Sequence, residues 1–303
     1  MTETLWSQTV TFEAALTDAA RLTDSLLEHL LAVPPDLEAR VYEAMRYAAL
    51  GPGKRLRPFL VLAGARLFGV PRERALQVAA AIEMVHAYSL VHDDLPAMDD
   101  SDLRRGRPTC HKEFDDATAV LAGDGLLTAA FGVLAHSDTH HDPAVRCELV
   151  TALAAAAGAA GMVGGQMIDL IAERQALDIG AITRLQRMKT GALIAFSCEA
   201  GAILAKAPSD SRAALHGYAH DLGLAFQIAD DLLDVEGSAA ETGKPVGADA
   251  AAGKATFVSI LGAERARGQA ERLVGQAVAH LDLFGGRAEL LREAARFVIS
   301  RRT

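Results

Sequence analysis

Apolar positions along this chain recur with a helical period almost from end to end. From Phe12 to Ala32, the residues Leu16, Ala19/Ala20, Leu26/Leu27 and Leu30/Leu31 line one face of a predicted helix. Pro34-Pro35 ends it, and Asp36 is placed to N-cap a second helix reaching Leu50. Gly51-Pro52-Gly53 forces a turn, and Pro58, at a first helical position, opens a third helix running to about Phe68. A fourth, from about Pro71, carries Ile82, Val85 and Tyr88 up to Asp93-Asp94, where Pro96 breaks it. Helical patterns resume over 116–135 and 143–173, the second bent at Gly158, Gly161 and Gly164-Gly165. Further helices are expected over 178–205, over 209–235 and at the end of the chain. Two polar stretches, 95–115 and 237–253, interrupt the series. No run alternates with period 2, and no repeat or Pro/Gly/Ser-rich linker divides the chain. The expectation is an all-α fold, a single large helical domain over residues 1–303.

Composition narrows the function classes. Half of the 303 residues are hydrophobic and only 5% aromatic, so the core must be built from Ala, Leu, Val and Ile. A formal net charge of −9 argues against a nucleic-acid binder, which needs a basic face. Cys110, Cys147 and Cys198 are odd in number and widely spaced, fitting neither a disulfide framework nor a zinc site. They read as reduced thiols in a cytoplasmic protein. The N-terminus lacks the basic start and apolar run of a signal peptide. Leu149–Gly165 is nearly free of polar groups, but its Ala and Gly content suits a packed interior helix rather than a membrane span.

The chemistry concentrates in Tyr88–Arg107. Asp93, Asp94, Asp99, Asp100 and Asp102 crowd the end of an apolar helix, and Arg104, Arg105 and Arg107 follow at once. Carboxylates that close repel one another unless a cation sits among them. Far along the chain, Gln227, Asp230/Asp231 and Asp234 recur at i, i+3/i+4 and i+7, one helical face carrying a second acidic row. Oxygen-only donors with no His/Cys pattern favour Mg²⁺. Gly53-Lys54-Arg55-Leu56-Arg57 is either a solvated basic turn or an anion site, and it has neither Walker nor dinucleotide-loop spacing. Lys189-Thr190, Lys244 and Lys254 add basic groups around the second acids. His86 lies two turns before Asp93 on the same face. Acids plus bases of this kind point to a polyphosphate substrate held through metal and side chains.

These motifs together resemble the trans-isoprenyl diphosphate synthase family. Asp93-Asp94-Leu-Pro-Ala-Met-Asp99 is similar to its first aspartate-rich motif and Asp230-Asp231-Leu-Leu-Asp234 to its second. The likeness extends through Gly53–Pro58, Leu103–Thr109, Leu121–Gly125, Gly164–Asp169, Lys189–Gly191 and Gly253–Thr256, in the expected order over about residues 40–300. The members it resembles most are bacterial farnesyl diphosphate synthases. The resemblance implies an all-helical homodimer of the isoprenoid synthase type with a central cavity. It implies three Mg²⁺ ions held by Asp93 and Asp99 on one wall and Asp230 opposite. Arg104, Lys189, Thr190, Gln227, Lys244 and Lys254 would grip an allylic diphosphate, with Lys189, Thr190, Gln227 and Lys244 as the catalytic groups. Lys54, Arg57, His86 and Arg105 would bind isopentenyl diphosphate without metal. Condensation would give mainly farnesyl diphosphate.

Tyr88, five residues before Asp93, together with the two extra residues Pro96-Ala97, resembles family members whose aromatic floor stops elongation at fifteen carbons. At about 1.5 Å per residue the ring lies roughly 7 Å below Asp93. The chain departs from the family pattern at Pro52, Ser101 and Ala248. Geranyl or geranylgeranyl diphosphate synthases are the nearest alternatives. A class I terpene cyclase would not need the Lys54–Arg57 site, and a non-catalytic subunit of a heteromeric synthase typically lacks one or both aspartate motifs. Asp100 and Asp102 have no task in this reading.

Overall fold

Ala and Leu, the strongest helix formers among apolar residues, dominate the repeating positions, and the backbone follows them. The computed structural model describes residues 10–172, 175, 177–236 and 256–300. The chain divides into two compact units, Met1–Val150 with Ile203–Ala205, and Thr151–Ala202 with Lys206–Thr303.

The first unit contains α1 (Phe12–Leu30), α2 (Ala39–Ala49), α3 (Leu56–Leu67), α4 (Arg72–Asp93), a short α5 (Cys110–Glu113) and α6 (Asp116–Ala135). α4 is its axis. Residues are buried all round it, among them Ala75, Val78, Ile82, Val85 and Val91, which marks a core helix rather than a surface one. It packs chiefly against α6 and α3. Asp115 N-caps α6 by accepting the Thr118 N–H at 2.7 Å, and its other oxygen takes Arg40 Nη2 of α2 at 2.8 Å. That carboxyl is held down at about 2, by Arg40 first and then by Thr118.

Three local expectations shift. α2 starts at Ala39 after Glu38, and Asp36 contributes its carbonyl to the Ala39 N–H rather than a side-chain cap. α3 starts at Leu56, so Pro58 is its third residue. The first four helical N–H groups have no intrahelical partner, so a proline there costs no bond. The polar stretch 95–115 contains a two-residue hairpin, β1 (Leu103–Arg104) and β2 (Arg107–Pro108), paired Arg104↔Arg107. Arg105 at φ +52° and Gly106 at φ +77° make the tight turn between them, as a two-residue hairpin loop of the primed type requires. Strands this short leave no alternating pattern to read.

The second unit holds α8 (Met162–Ala172), α9 (Ile179–Gln186), a π-helical turn (Arg187–Gly191), α11 (Ser209–Glu236), α12 (Phe257–Leu261), α13 (Ala263–His280) and α14 (Glu289–Ser300). α7 (Pro143–Ala157) and α10 (Ala192–Leu204) carry residues of both units. α11 packs along α13, and the fully buried Tyr218 donates its hydroxyl to the Leu291 carbonyl at 2.8 Å. The bend expected within 143–173 is a full break: α7 stops at Ala157 and α8 begins at Met162. Within the Ala/Gly-rich stretch the α7 stripe Leu149, Leu153, Ala157 is buried, as are Gly161, Met162 and Gly165 beyond the break, while Ala154, Ala155, Ala159 and Ala160 are exposed. α7 therefore packs through one stripe, and α8 packs through Met162 and Gly165. By length and composition alone α6 and 143–172 would pass as membrane spans. In α6 the buried set Ala119, Ala122, Leu126, Ala130, Leu134 explains the apolar content.

Candidate functional site

The first acidic stretch folds back on itself where α4 ends. The Asp99 N–H donates to the Asp93 carbonyl at 2.9 Å, the Asp100 N–H to Leu95 and the Ser101 N–H to Asp94. This brings the backbone of Asp99 to that of Asp93, with Pro96 and Ala97 exposed at the tip. Asp93 is half-buried and Asp99 exposed, so both keep access to solvent. Asp94 is different. It is buried, and Arg104 donates to it from Nε at 2.9 and 2.8 Å and from Nη2 at 2.6 Å. Burial alone would make the Arg104 guanidinium less basic, but these bonds and the charge of Asp94 outweigh it and raise its pKa. Asp102 pairs with Lys112 at 2.9 Å on the surface, and Thr109 ties the loop shut by donating Oγ1 to the Ser101 carbonyl at 2.7 Å. Asp102 therefore staples the hairpin.

The basic turn lies in the same unit. Lys54 is exposed, Arg57 half-buried and Arg55 buried. Arg105, exposed at the hairpin tip, donates Nη1 to the Pro52 carbonyl. Gly53 permits this closeness, since a Cβ there would stand 2.6 Å from Arg105 Nη1. His86, part-buried on α4, is held well below the ordinary histidine range, by burial first and then by Arg57, Arg105, Arg104 and Arg55. A neutral imidazole carries one N–H donor, which suits an anion without adding charge. Two residues on, Tyr88 is buried, and its ring meets that of His92 edge to face at 5.5 Å. His92 Nε2 stands 3.1 Å from the Val120 carbonyl of α6, and Gly123 makes room for it: a Cβ there would lie 2.1 Å from Nε2.

In the second unit, the helix expected over 178–205 is interrupted by the π turn Arg187–Gly191, which contains Lys189 and Thr190. Such single-turn bulges recur at functional sites because they redirect side chains within an otherwise regular helix. Lys189 Nζ donates to Asp169 Oδ2 at 2.6 Å. Gly165 is required for that approach, because a Cβ would fall 2.2 Å from the Lys189 nitrogen. Both amide atoms of the adjacent Gln166 are buried without a hydrogen-bond partner, as if reserved for a ligand or water.

On α11, Gln227, Asp230 and Asp234 are half-buried, but Asp231 is buried and its Oδ2 accepts the Phe257 N–H at 2.9 Å, starting α12. It does not share the open face with Asp230 and Asp234. Lys244 and Lys254 lie outside the described residues.

The two acidic motifs thus follow one rule. In each, the second aspartate is turned inward to hold its own structure, and its neighbours remain accessible. Among the described residues no three Asp, Glu, His or Cys side chains converge into a cage for a metal. Asp93 with Asp99, and Asp230 with Asp234, offer carboxylate oxygen only. That donor set fits Mg²⁺, which keeps waters and completes its shell with substrate phosphates, and it does not fit a closed zinc site. Residues that sequence reasoning left without a role are Asp94, Glu83, Arg55, Gln166 and Asp169. Asp94, Arg55, Gln166 and Asp169 lie inside motifs that the sequence marked, whereas nothing local marks Glu83.

Comparison with known proteins gives a consistent picture. A family model described as polyprenyl synthetase matches residues 38–282. Farnesyl diphosphate synthase of Escherichia coli (strain K12) is 46% identical over 273 residues, covering 88% of this chain and 90% of that protein. Farnesyl diphosphate synthase of Haemophilus influenzae is 43% identical over 88% of this chain and 90% of its own. Among solved structures, an FPP/GFPP synthase from Zymomonas mobilis superimposes with a TM-score of 0.87 at 53% identity, covering 95% of this chain and 98% of the other.

Proposed function

Since the chain belongs to the polyprenyl synthetase family and is a prenyltransferase that elongates prenyl chains, we propose that it condenses isopentenyl diphosphate head-to-tail with dimethylallyl or geranyl diphosphate. The main product on this reading is (2E,6E)-farnesyl diphosphate. The observation that carries it is the folding back of Asp99 onto Asp93 beside Arg104, with the turn Lys54–Arg57 held against Arg105 in the same unit. One diphosphate needs metal, and the other can be bound by arginine, lysine and a neutral histidine alone.

Asp93, Asp99 and Asp230 would hold Mg²⁺, with three ions expected. When bound, the metal supplies positive charge to a diphosphate that must leave carbon. Arg104, Lys189, Thr190 and Gln227, with Lys244 and Lys254, bind the allylic diphosphate and neutralise the charge that develops on it. Lys54, Arg57, Arg105 and neutral His86 orient isopentenyl diphosphate so that its double bond faces the allylic carbon. The carbon–oxygen bond breaks, the double bond attacks the allylic cation, and the proton lost afterwards goes to the departed diphosphate. Apolar walls, with Tyr88 as the floor below Asp93, exclude water that would quench the cation.

A homodimer accords with the exposed apolar side chains Val120 and Leu121 on α6 and Val163, Met167 and Ile171 on α8. A cytoplasmic setting accords with the thiols of Cys110 and Cys198, which burial keeps protonated. The test is incubation of purified protein with Mg²⁺, labelled isopentenyl diphosphate and either starter, followed by measurement of product length. Fifteen-carbon product is expected. No elongation with either starter overturns the proposal, and a twenty-five-carbon product would favour the range named for the Zymomonas relative.

A further inference from the structure

Three cations stand together in Lys54-Arg55-Leu56-Arg57, yet only the middle one is buried. Arg55 adopts φ +51°, ψ +38°, a left-handed conformation uncommon outside glycine and asparagine, and its side chain is only 3% exposed. Every face of its guanidinium is occupied. Nε donates to Asp24 Oδ1 of α1 at 2.7 Å, and Nη1 donates to Glu83 Oε1 of α4 at 3.0 Å. Nη2 donates to the carbonyls of Ala49 and Gly51, both at 2.9 Å. One side chain therefore fastens α1, the end of α2, the turn and α4. Glu83 lies one helical turn before His86 on α4.

We infer that Arg55 and Glu83 are positioning residues for the metal-free diphosphate subsite: they lock the Gly51–Arg57 turn at a fixed distance from His86 and Arg105 without touching substrate. With Arg55 buried, Lys54 stays exposed and Arg57 half-buried. Gly53 belongs to the same device, since a Cβ there would stand 2.7 Å from Arg55 Nη1 as well as 2.6 Å from Arg105 Nη1. Arg55 cannot yield, because four acceptors hold it. Burial raises the pKa of the Glu83 carboxyl, and the charges of Arg55, Arg57 and Arg105 pull against that rise, so one carboxyl faces three guanidiniums. Without it, the three guanidiniums would repel and the turn would open.

The inference rests on the assignment of Lys54, Arg57, His86 and Arg105 to isopentenyl diphosphate, so its test separates the two. Steady-state kinetics and metal-free calorimetric titration with isopentenyl diphosphate would be run on Arg55→Lys, Glu83→Gln and Asp24→Asn, with Lys54→Ala as the contact control. Asp24 is half-exposed, so its variant leaves a folded protein even where the other two do not. A lost charge-assisted hydrogen bond corresponds to about a tenfold effect. KM and Kd for isopentenyl diphosphate should rise about tenfold in Arg55→Lys and Glu83→Gln and about threefold in Asp24→Asn. kcat and the allylic KM should stay within twofold. A lowered Tm with both KM values unchanged, in the folded variants, would show a purely structural pair and overturn the inference. Lys54→Ala without effect on isopentenyl diphosphate overturns the subsite assignment itself. Lys54→Ala active on KM alongside silent Asp24 and Glu83 variants overturns the positioning role alone.

Discussion

Arg104 closes on Asp94 through three hydrogen bonds of 2.6 to 2.9 Å, and this pair divides the first acidic motif into two kinds of carboxylate. Asp94 is spent on the arginine; Asp93 and Asp99 remain accessible. Asp94→Asn should lower Tm by several degrees, from loss of about 2 kcal/mol in a largely buried charged pair. It should also raise the KM for the allylic diphosphate, because Arg104 loses its orientation. Asp93→Asn and Asp99→Asn should instead remove Mg²⁺-dependent turnover, with a smaller loss of Tm than Asp94→Asn. Thermal melts beside Mg²⁺ titrations of activity separate the two patterns, and equal loss of metal response in all three variants would reject the division.

Tyr88 rests edge-on against His92, and His92 is seated over Gly123. Tyr88→Ala should yield products longer than farnesyl diphosphate. Gly123→Ala must displace His92, and product analysis should show a smaller shift in the same direction. An unchanged product distribution from folded Tyr88→Ala would reject the aromatic floor.

The π turn presents Lys189 only because residue 165 lacks a Cβ. Gly165→Ala places a carbon 2.2 Å from the Lys189 nitrogen and should reduce kcat on the order of a hundredfold, since misplacement of a charge-stabilising group by an ångström has that scale. Asp169→Asn should reduce kcat less, because it loosens Lys189 without moving its backbone. Single-turnover rates would rank the two, and the reverse order would put the weight on the ion pair instead.

His86 is held neutral in the fold, by burial and by the arginines around it, while the unfolded chain titrates near the ordinary value of 6.5. Below that value the unfolded state binds a proton the folded state does not, so stability rises with pH through this window and falls on acidification. Wild-type protein should lose more Tm between pH 7.5 and pH 5.5 than His86→Gln. Imidazole resonances followed by NMR should show His86 failing to titrate across the same range. A His86 midpoint at or above 6.5 would contradict both.

Much of this was legible without coordinates. Each long helix was marked by apolar spacing, and the breaks at Pro34-Pro35, Pro96 and the glycines after Ala157 fell where residue chemistry put them. Charge crowding at helix ends marked the acidic runs 93–102 and 230–234 and the basic turn Lys54–Arg57, while the choice of Asp93, Asp99 and Asp230 among those acids came from the family resemblance. The interior roles were not legible. Neighbouring carboxylates on a helix point about 100° apart, so one of each pair must turn away from the face that the other shares. The sequence does not say which one. Asp94 is decided by Arg104, ten residues on, and Asp231 by Phe257, twenty-six residues on.

The stretch around Asp93 shows where the division lies. By itself the sequence determined the helical architecture, the two acidic rows and their basic neighbours, because these follow from period and from the repulsion of like charges. Only the tertiary structure decided that Arg55 faces inward, that Lys189 stands in a π turn and that Asp94 serves Arg104. Those choices depend on which distant group fills the space beside each side chain, and local spacing carries no record of that.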